Sequence, residues 1–226
     1  MFHIDTRSVV INLIILNVLF FAATLFSEMF LGIHLSRTLG LFYFGSPEFK
    51  PIQLFTHMFM HGGFLHIFSN MYALFLFGTV LERVWGPQRF LLFYFLTGFG
   101  AELLHLGVQA WQVYNFTGSI FATDTNLNQF YTLQEIYFIP TVGASGAVFG
   151  VLAAFGMLFP NTELMLLFPP IPLKAKVFVV LYIIWELYRG IAMQAGDNIA
   201  HFAHLGGALM GFLLVKYWNR DNRFLF

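Results

Sequence analysis

The chain has 226 residues, few enough for a single domain. Apolar residues make up 58% and charged residues 10%, against roughly 25% charged in soluble domains, and mean hydropathy is +0.74; a soluble globular protein is excluded. A formal net charge of zero argues against nucleic acid as a partner, and the absence of cysteine excludes disulfides and thiol chemistry.

Six apolar helices are predicted, over residues 9–27, 64–81, 90–110, 143–159, 175–194 and 199–218. The first is longer than a signal-peptide core. Its small pair Ala22-Ala23 lies inside the run, so it reads as a span and not as a cleaved leader. An outer connection over 28–63 holds Gly45-Ser46-Pro47. On the second helix His66 and Asn70 are four residues apart and share a face. His61 points about 140° away from His66 if the helix already includes it. On the third, Glu102 and His105 are spaced to pair with each other. The connection over 111–142 mixes polar and aromatic residues and reads equally as a lid, a docking surface or a loose link. The fifth helix carries Glu186 and Arg189 near its outer end. Alternating ten-residue segments of the kind a membrane barrel needs are absent.

The basic residues set a direction. With a cytoplasmic N-terminus, Arg7, Arg83, Arg89, Lys174, Lys176, Lys216, Arg220 and Arg223 lie inside, and Arg37, Lys50 and Arg189 lie outside. Both termini are then cytoplasmic.

Polar groups at membrane depth carry the chemistry. Thr141 to Gly150 read T-V-G-A-S-G-A-V-F-G, which places Ser145 between Gly143 and Gly146 at a helix start. Backbone N–H groups there have no intrahelical partner and can donate to a developing oxyanion. His204 sits in the sixth helix, and a serine with a histidine at matching depth supplies a nucleophile and its base. Gly146 and Gly150 on one helix, with Gly207 and Gly211 on the other, form small-residue stripes that permit close backbone approach. Whether Ser145 faces His204 depends on how the first turn of its helix begins, which spacing leaves open. His201 reads as structural. His57 and His61 are four apart, but H-M-F-M-H lacks the glutamate of a zinc-protease motif, and no metal or cofactor is expected.

Together these motifs resemble the rhomboid family of intramembrane serine proteases, most clearly from residue 52 to 214. The family pattern H-x-x-x-x-H-x-x-x-N is matched by His61, His66 and Asn70. The nucleophile motif G-x-S-G is matched by Gly143, Ser145 and Gly146. Ala203, His204, Gly207 and Gly211 match A-H-x-x-G-x-x-x-G, and Glu82-Arg83-Val84-Trp85-Gly86 resembles the family's cytoplasmic turn. Where many members carry Trp-Arg in the first outer loop, Ile52 and Gln53 stand here. The 111–142 connection is longer than in compact bacterial members.

The resemblance implies an all-α membrane protein, a six-transmembrane-helix rhomboid-like bundle forming one domain over 1–226. It implies a Ser145–His204 dyad with no acidic third member; the nearest acid, Asp197, falls in the outer connection. His66, Asn70 and the Ser145 N–H would hold the oxyanion. Expected partners are the lipid bilayer and single-pass transmembrane substrates with Gly, Ala or Pro near the outer face. The expected place is a bacterial inner membrane, with the site opening outward. Two other readings are weaker. An inactive relative that binds membrane clients would lack the serine or the histidine, and a channel would need polar residues at several depths.

Overall fold

A computed structural model describes residues 8–165, 171–192 and 200–219. The expectations placed on Arg7, Asp197, Arg220 and Arg223 lie outside the described residues.

Helix α1 (Val9–Phe26) starts at Ser8, whose Oγ accepts from the Ile11 N–H, and continues into a π turn over Ser27–Leu31. Its free N–H groups find a distant acid. Val9 N donates to Glu82 Oε1 at 2.6 Å, Val10 N donates to Oε2 at 3.1 Å, and the Ser8 hydroxyl donates to Oε2 at 2.7 Å. A carboxylate at a helix N-terminus meets both the orphan donors and the positive end of the dipole. That explains the acid of the 82–86 turn.

The connection after α1 holds two short helices, α2 (Leu35–Leu39) and α3 (Gln53–Thr56), the latter running into a 3-10 turn at His57–Phe59. Helix α4 (Phe64–Ala73) passes through a π turn (Leu74–Gly78) into α5 (Thr79–Trp85), so this span runs four residues past its expected end at 81.

Helix α6 (Pro87–Thr117) differs most from expectation. It has 31 residues, about 46 Å at 1.5 Å per residue, and outruns a hydrocarbon core of about 30 Å. The sequence over 111–117 is polar enough to leave a membrane, but holds no Gly or Pro to stop a helix. Gly118 stops it, as a left-handed C-cap at φ +71°.

Helices α7 (Asp124–Gln129) and α8 (Tyr131–Phe138) follow, so the 111–142 segment is folded and is no loose link. Tyr43, Val113, Leu133, Ile136 and Tyr137 form a buried cluster that joins the 28–63 and 111–142 segments. The Tyr43 hydroxyl donates to Ile120 O at 2.8 Å, and Tyr137 Oη accepts from Ala122 N at 2.7 Å.

Helix α9 (Ser145–Leu158) is the centre of the molecule, packed against α6 and against α10 (Ala175–Ala192) and α11 (His201–Asn219). A short antiparallel hairpin, β1 (Glu163–Met165) with β2 (Pro172–Lys174), separates α9 from α10. Among the described residues, three helical stretches are long and apolar enough to cross a membrane: Val9–Leu31, Phe64–Trp85 and Pro87–Thr117. Helix α9 has only 14 residues, and α10 carries Lys176, Glu186 and Arg189.

The glycine stripes bring α9 and α11 into backbone contact. A Cβ on Gly207 would overlap the Gly146 carbonyl. One on Gly211 would lie 2.7 Å from Gly150 O and 2.9 Å from its Cα. Both are closer than real Cβ contacts.

Candidate active site

Ser145 is the first residue of α9, and its Oγ lies 2.8 Å from Nε2 of His204 in the first turn of α11. The turn that begins α9 therefore aims the hydroxyl at α11, which the spacing alone left open. Phe149, one turn beyond Ser145, stacks flat on the His204 ring, with centroids 4.2 Å apart and planes 6° from parallel. Serine and stacking ring thus come from one helix face and hold the imidazole between them.

The other edge of that imidazole meets an acid, against the expectation of none. His204 Nδ1 is 2.9 Å from Glu186 Oε2, and His201 Nδ1 is 2.6 Å from the same oxygen. The acid comes from α10, not from the histidine's own helix or its connection. His201, expected to be structural, is therefore part of this cluster. Gly190 allows the approach: a Cβ there would meet the Phe202 ring at 3.2 Å and the His201 Cβ at 3.3 Å. Glu186, His201 and His204 are all buried. Their donor atoms lie within 4.8 Å of one another, close enough to share one metal ion.

Across the serine, α4 presents His66 and Asn70. The Gly62 N–H points at His66 Nδ1 at 3.4 Å, which leaves Nε2 to carry the ring proton. Gly143 has φ +133°, and a Cβ there would sit 2.8 Å from His66 Nε2 and 3.5 Å from Ser145 Oγ. The absent side chain leaves a small space between an N–H donor and the nucleophile. Asn70 is 5% exposed, and its Nδ2 has no hydrogen-bond partner among the described residues. A buried donor without a partner is costly unless a ligand supplies one. His61 does not face elsewhere. Helix α4 begins only at Phe64, and the preceding turn lays the His61 ring edge-on to His66 at 5.0 Å. Burial, then the neighbouring His66, pushes the His61 pKa down to about 4, so this ring is neutral at physiological pH.

Behind the site, Glu102 pairs with His57 and not with His105. His57 Nε2 is 2.9 Å from Glu102 Oε1, and His57 Nδ1 donates to Gln53 O at 2.8 Å. Burial works against the charged form of His57. The Glu102 carboxylate and the bond to the Gln53 carbonyl outweigh it and hold the ring above its usual pKa. His105 turns instead to Thr141, with Nε2 3.0 Å from Oγ1. The His57 carbonyl accepts from Gly143 N at 3.0 Å, which ties this pair to the loop before Ser145. Both His57 nitrogens are engaged, so His57 and His61 make no metal pair.

Gln53, in the place of the family's arginine, is fully buried. Its Oε1 accepts from Lys50 N at 3.0 Å and Phe42 N at 3.4 Å. Its Nε2 donates to Glu48 O at 3.0 Å and Thr38 O at 3.3 Å. One neutral amide braces the connection after α1.

A sequence model of the Rhomboid domain matches residues 48–220. The chain belongs to the rhomboid family. It is 31% identical over 168 residues to Rhomboid protein 1, mitochondrial, of Saccharomyces cerevisiae, covering 74% of this chain and 42% of that protein. It is 27% identical over 237 residues to Rhomboid protease AarA of Providencia stuartii, covering 94% of this chain and 73% of that one. RHOMBOID-like protein 1 of Arabidopsis thaliana is 31% identical over 72% of this chain and 33% of its own length. The chain thus spans less than half of the yeast and Arabidopsis relatives. Two members of the Ser145 cluster escaped the sequence reading, Phe149 and Glu186. Phe149 is signalled by its position four residues after the serine. An acid in an apolar helix signals a buried partner, and Glu186 carries that signal.

Proposed function

We propose that this rhomboid is an intramembrane serine protease that cleaves transmembrane segments of single-pass membrane proteins. The observation that carries the reading is the 2.8 Å approach of Ser145 Oγ to His204 Nε2. In the reaction, Nε2 takes the hydroxyl proton as Oγ attacks the scissile carbonyl. The oxyanion forms in the space left by Gly143. We assign as its donors His66 Nε2–H, which lies beside that space, together with Asn70 Nδ2 and the Ser145 N–H. Nε2 then passes its proton to the leaving amine, and water resolves the acyl-enzyme.

We read α1, the α4–α5 pair, α6, α9, α10 and α11 as six crossings with both termini cytoplasmic, a bacterial inner membrane as host, and the site open to the outer side. Helix α9 spans about 21 Å, less than the hydrocarbon thickness of about 30 Å, so Ser145 at its start lies below the outer surface. Its neighbours bury nearly all of α9, which relieves it of the need to match the lipid. A substrate helix must unwind to expose a peptide bond, which favours segments with Gly, Ala or Pro near the outer face.

The test is cleavage of a model transmembrane substrate in liposomes, wild type beside Ser145→Ala. The wild type is expected to cleave and the variant to be inert. Equal cleavage by both would overturn the assignment of the nucleophile.

A further inference from the structure

We infer that Glu186 is a positioning residue for the hydrolysis: its carboxylate sets the tautomer of His204 and is itself held by His201. The inference rests on the protease reading above and adds a third member to the Ser145–His204 pair.

The geometry is met in full by an ionised carboxylate between two Nδ1–H donors. Nδ1 of His204 and Nδ1 of His201 both lie within hydrogen-bond distance of the single atom Oε2, at 2.9 and 2.6 Å. In that arrangement the ionised oxygen accepts both bonds and each Nδ1 carries a hydrogen. A protonated acid that donated to His204 Nδ1 would leave the ring hydrogen on Nε2, the form that the nitrogen spectra below distinguish. With its proton on Nδ1, neutral His204 has its lone pair on Nε2, the atom 2.8 Å from Ser145 Oγ. That is the tautomer a general base needs.

Phe149 cannot do this alone. Its flat contact fixes the plane of the imidazole, but a ring face does not distinguish Nδ1–H from Nε2–H. The Glu186 oxygen does. It also stabilises the imidazolium that forms when the serine proton arrives. His201 supplies the second hydrogen bond that keeps the carboxylate from swinging away. All three groups are buried, so water does not compete for these contacts. An acid in an apolar helix is costly unless paired, and here the pairing leads directly to the reacting histidine.

The steps balance. The Ser145 O–H proton moves to His204 Nε2 as the Oγ–C bond forms, and Glu186 stays ionised. The proton then moves to the leaving nitrogen as the C–N bond breaks. In the second half, Nε2 takes a proton from water as the hydroxide adds to the acyl carbon. It returns that proton to Oγ as the ester bond breaks.

Wild type, Glu186→Gln and His201→Gln are compared as full chains in detergent micelles, by substrate cleavage, by the rate of fluorophosphonate labelling at Ser145, and by thermal unfolding. Glu186→Gln is expected to lower kcat and the labelling rate about 100-fold or more at unchanged KM. His201→Gln is expected to lower both by a smaller factor. A merely structural acid would shift the unfolding midpoint and leave the labelling rate of the folded protein near that of wild type, which would overturn the inference. If Glu186→Gln does not fold, 15N-histidine spectra of the wild type decide. The His204 resonances, identified by their loss in His204→Gln, should show Nδ1–H with an unprotonated Nε2. An Nε2–H form would overturn the inference. Loss of activity on chelation with recovery on adding zinc would assign the three side chains to a metal and would also overturn it. A wild type that neither cleaves nor labels would sink the protease reading instead, while the spectra still report on the Glu186 geometry.

Discussion

Replacing Gly207 by alanine tests whether helix approach sets the chemistry. Gly207 is three residues from His204, on the same turn of α11, and its hypothetical Cβ lies 2.7 Å from the Gly146 carbonyl carbon and 3.2 Å from the Gly146 Cα, with the carbonyl oxygen nearer still. Ordinary contact begins at 3.4 Å, and the obstacle is backbone, which cannot rotate away. The helices must separate by more than half an ångström to admit the methyl. The Ser145–His204 bond starts at 2.8 Å and reaches the usual limit of about 3.2 Å after only a few tenths. Overpacking of this kind costs about 1–3 kcal/mol of stability, which leaves a folded protein. Loss of the general base lowers reactivity about 100- to 10,000-fold. We therefore expect Gly207→Ala to unfold at a lower temperature yet remain monodisperse, with fluorophosphonate labelling reduced by that factor. Gly211→Ala, one turn further on and 0.7 Å short of ordinary contact (2.7 against 3.4 Å), should show a weaker form of both effects. Labelling of Gly207→Ala at the wild-type rate would refute the link between the glycine stripes and the Ser145–His204 contact.

Three further outcomes are expected. Asn70→Ala removes a buried donor that has no other partner and should lower kcat about 100- to 1,000-fold with little change in unfolding temperature, measured by cleavage and calorimetry. Gly143→Ala puts a methyl 2.8 Å from His66 Nε2, in the space assigned to the oxyanion, and forces alanine to φ +133°; turnover should fall by on the order of 100-fold while Ser145 remains 2.8 Å from His204. Gln53→Ala strands the Phe42 and Lys50 N–H groups and the Thr38 and Glu48 carbonyls, and should destabilise the fold by at least about 2 kcal/mol in denaturant titration.

What could be read from the chain and what could not divide along physical lines. Ser145, His204, His66 and Asn70 are legible because polar groups in apolar helices are rare, and their spacing carries the family motifs. The Gly207 and Gly211 stripe is legible because small residues at four-residue spacing have one main use in a membrane helix. Pairings across helices are not legible. Glu102 and His105 satisfy the three-residue rule, yet each turns to a partner from another segment, His57 and Thr141. The acid of the His204 cluster does not lie on the histidine's own helix. It arrives from α10, fifteen residues before His201 and eighteen before His204 in sequence, through an approach that Gly190 makes possible. The orientation of His61 is decided by a helix boundary: with α4 starting at Phe64, the condition for the 140° offset is not met and the helical angle between His61 and His66 has no meaning. The length of α6 is not legible from polarity: the polar run over 111–117 stays helical, and Gly118 ends the helix.

The arrangement around Ser145 answers a difficulty that its own helix creates. Beyond the serine, α9 reads G-A-V-F-G-V-L-A-A-F-G-M-L and has no polar side chain with which to fix its rotation. Apolar packing against small residues tolerates sliding, and sliding would carry the hydroxyl out of reach of the imidazole. The fixing comes from outside α9, on both flanks of the serine. On one flank, Glu102 holds His57, and the His57 carbonyl holds the Gly143 N–H two residues before the nucleophile. On the other, Glu186 holds His201 and His204 together. Each flank pairs one buried carboxylate with histidine, so each charge has its partner at hand and neither needs water. The two buried acids that look least at home in an apolar bundle are thus the groups that confine the serine oxygen from both sides.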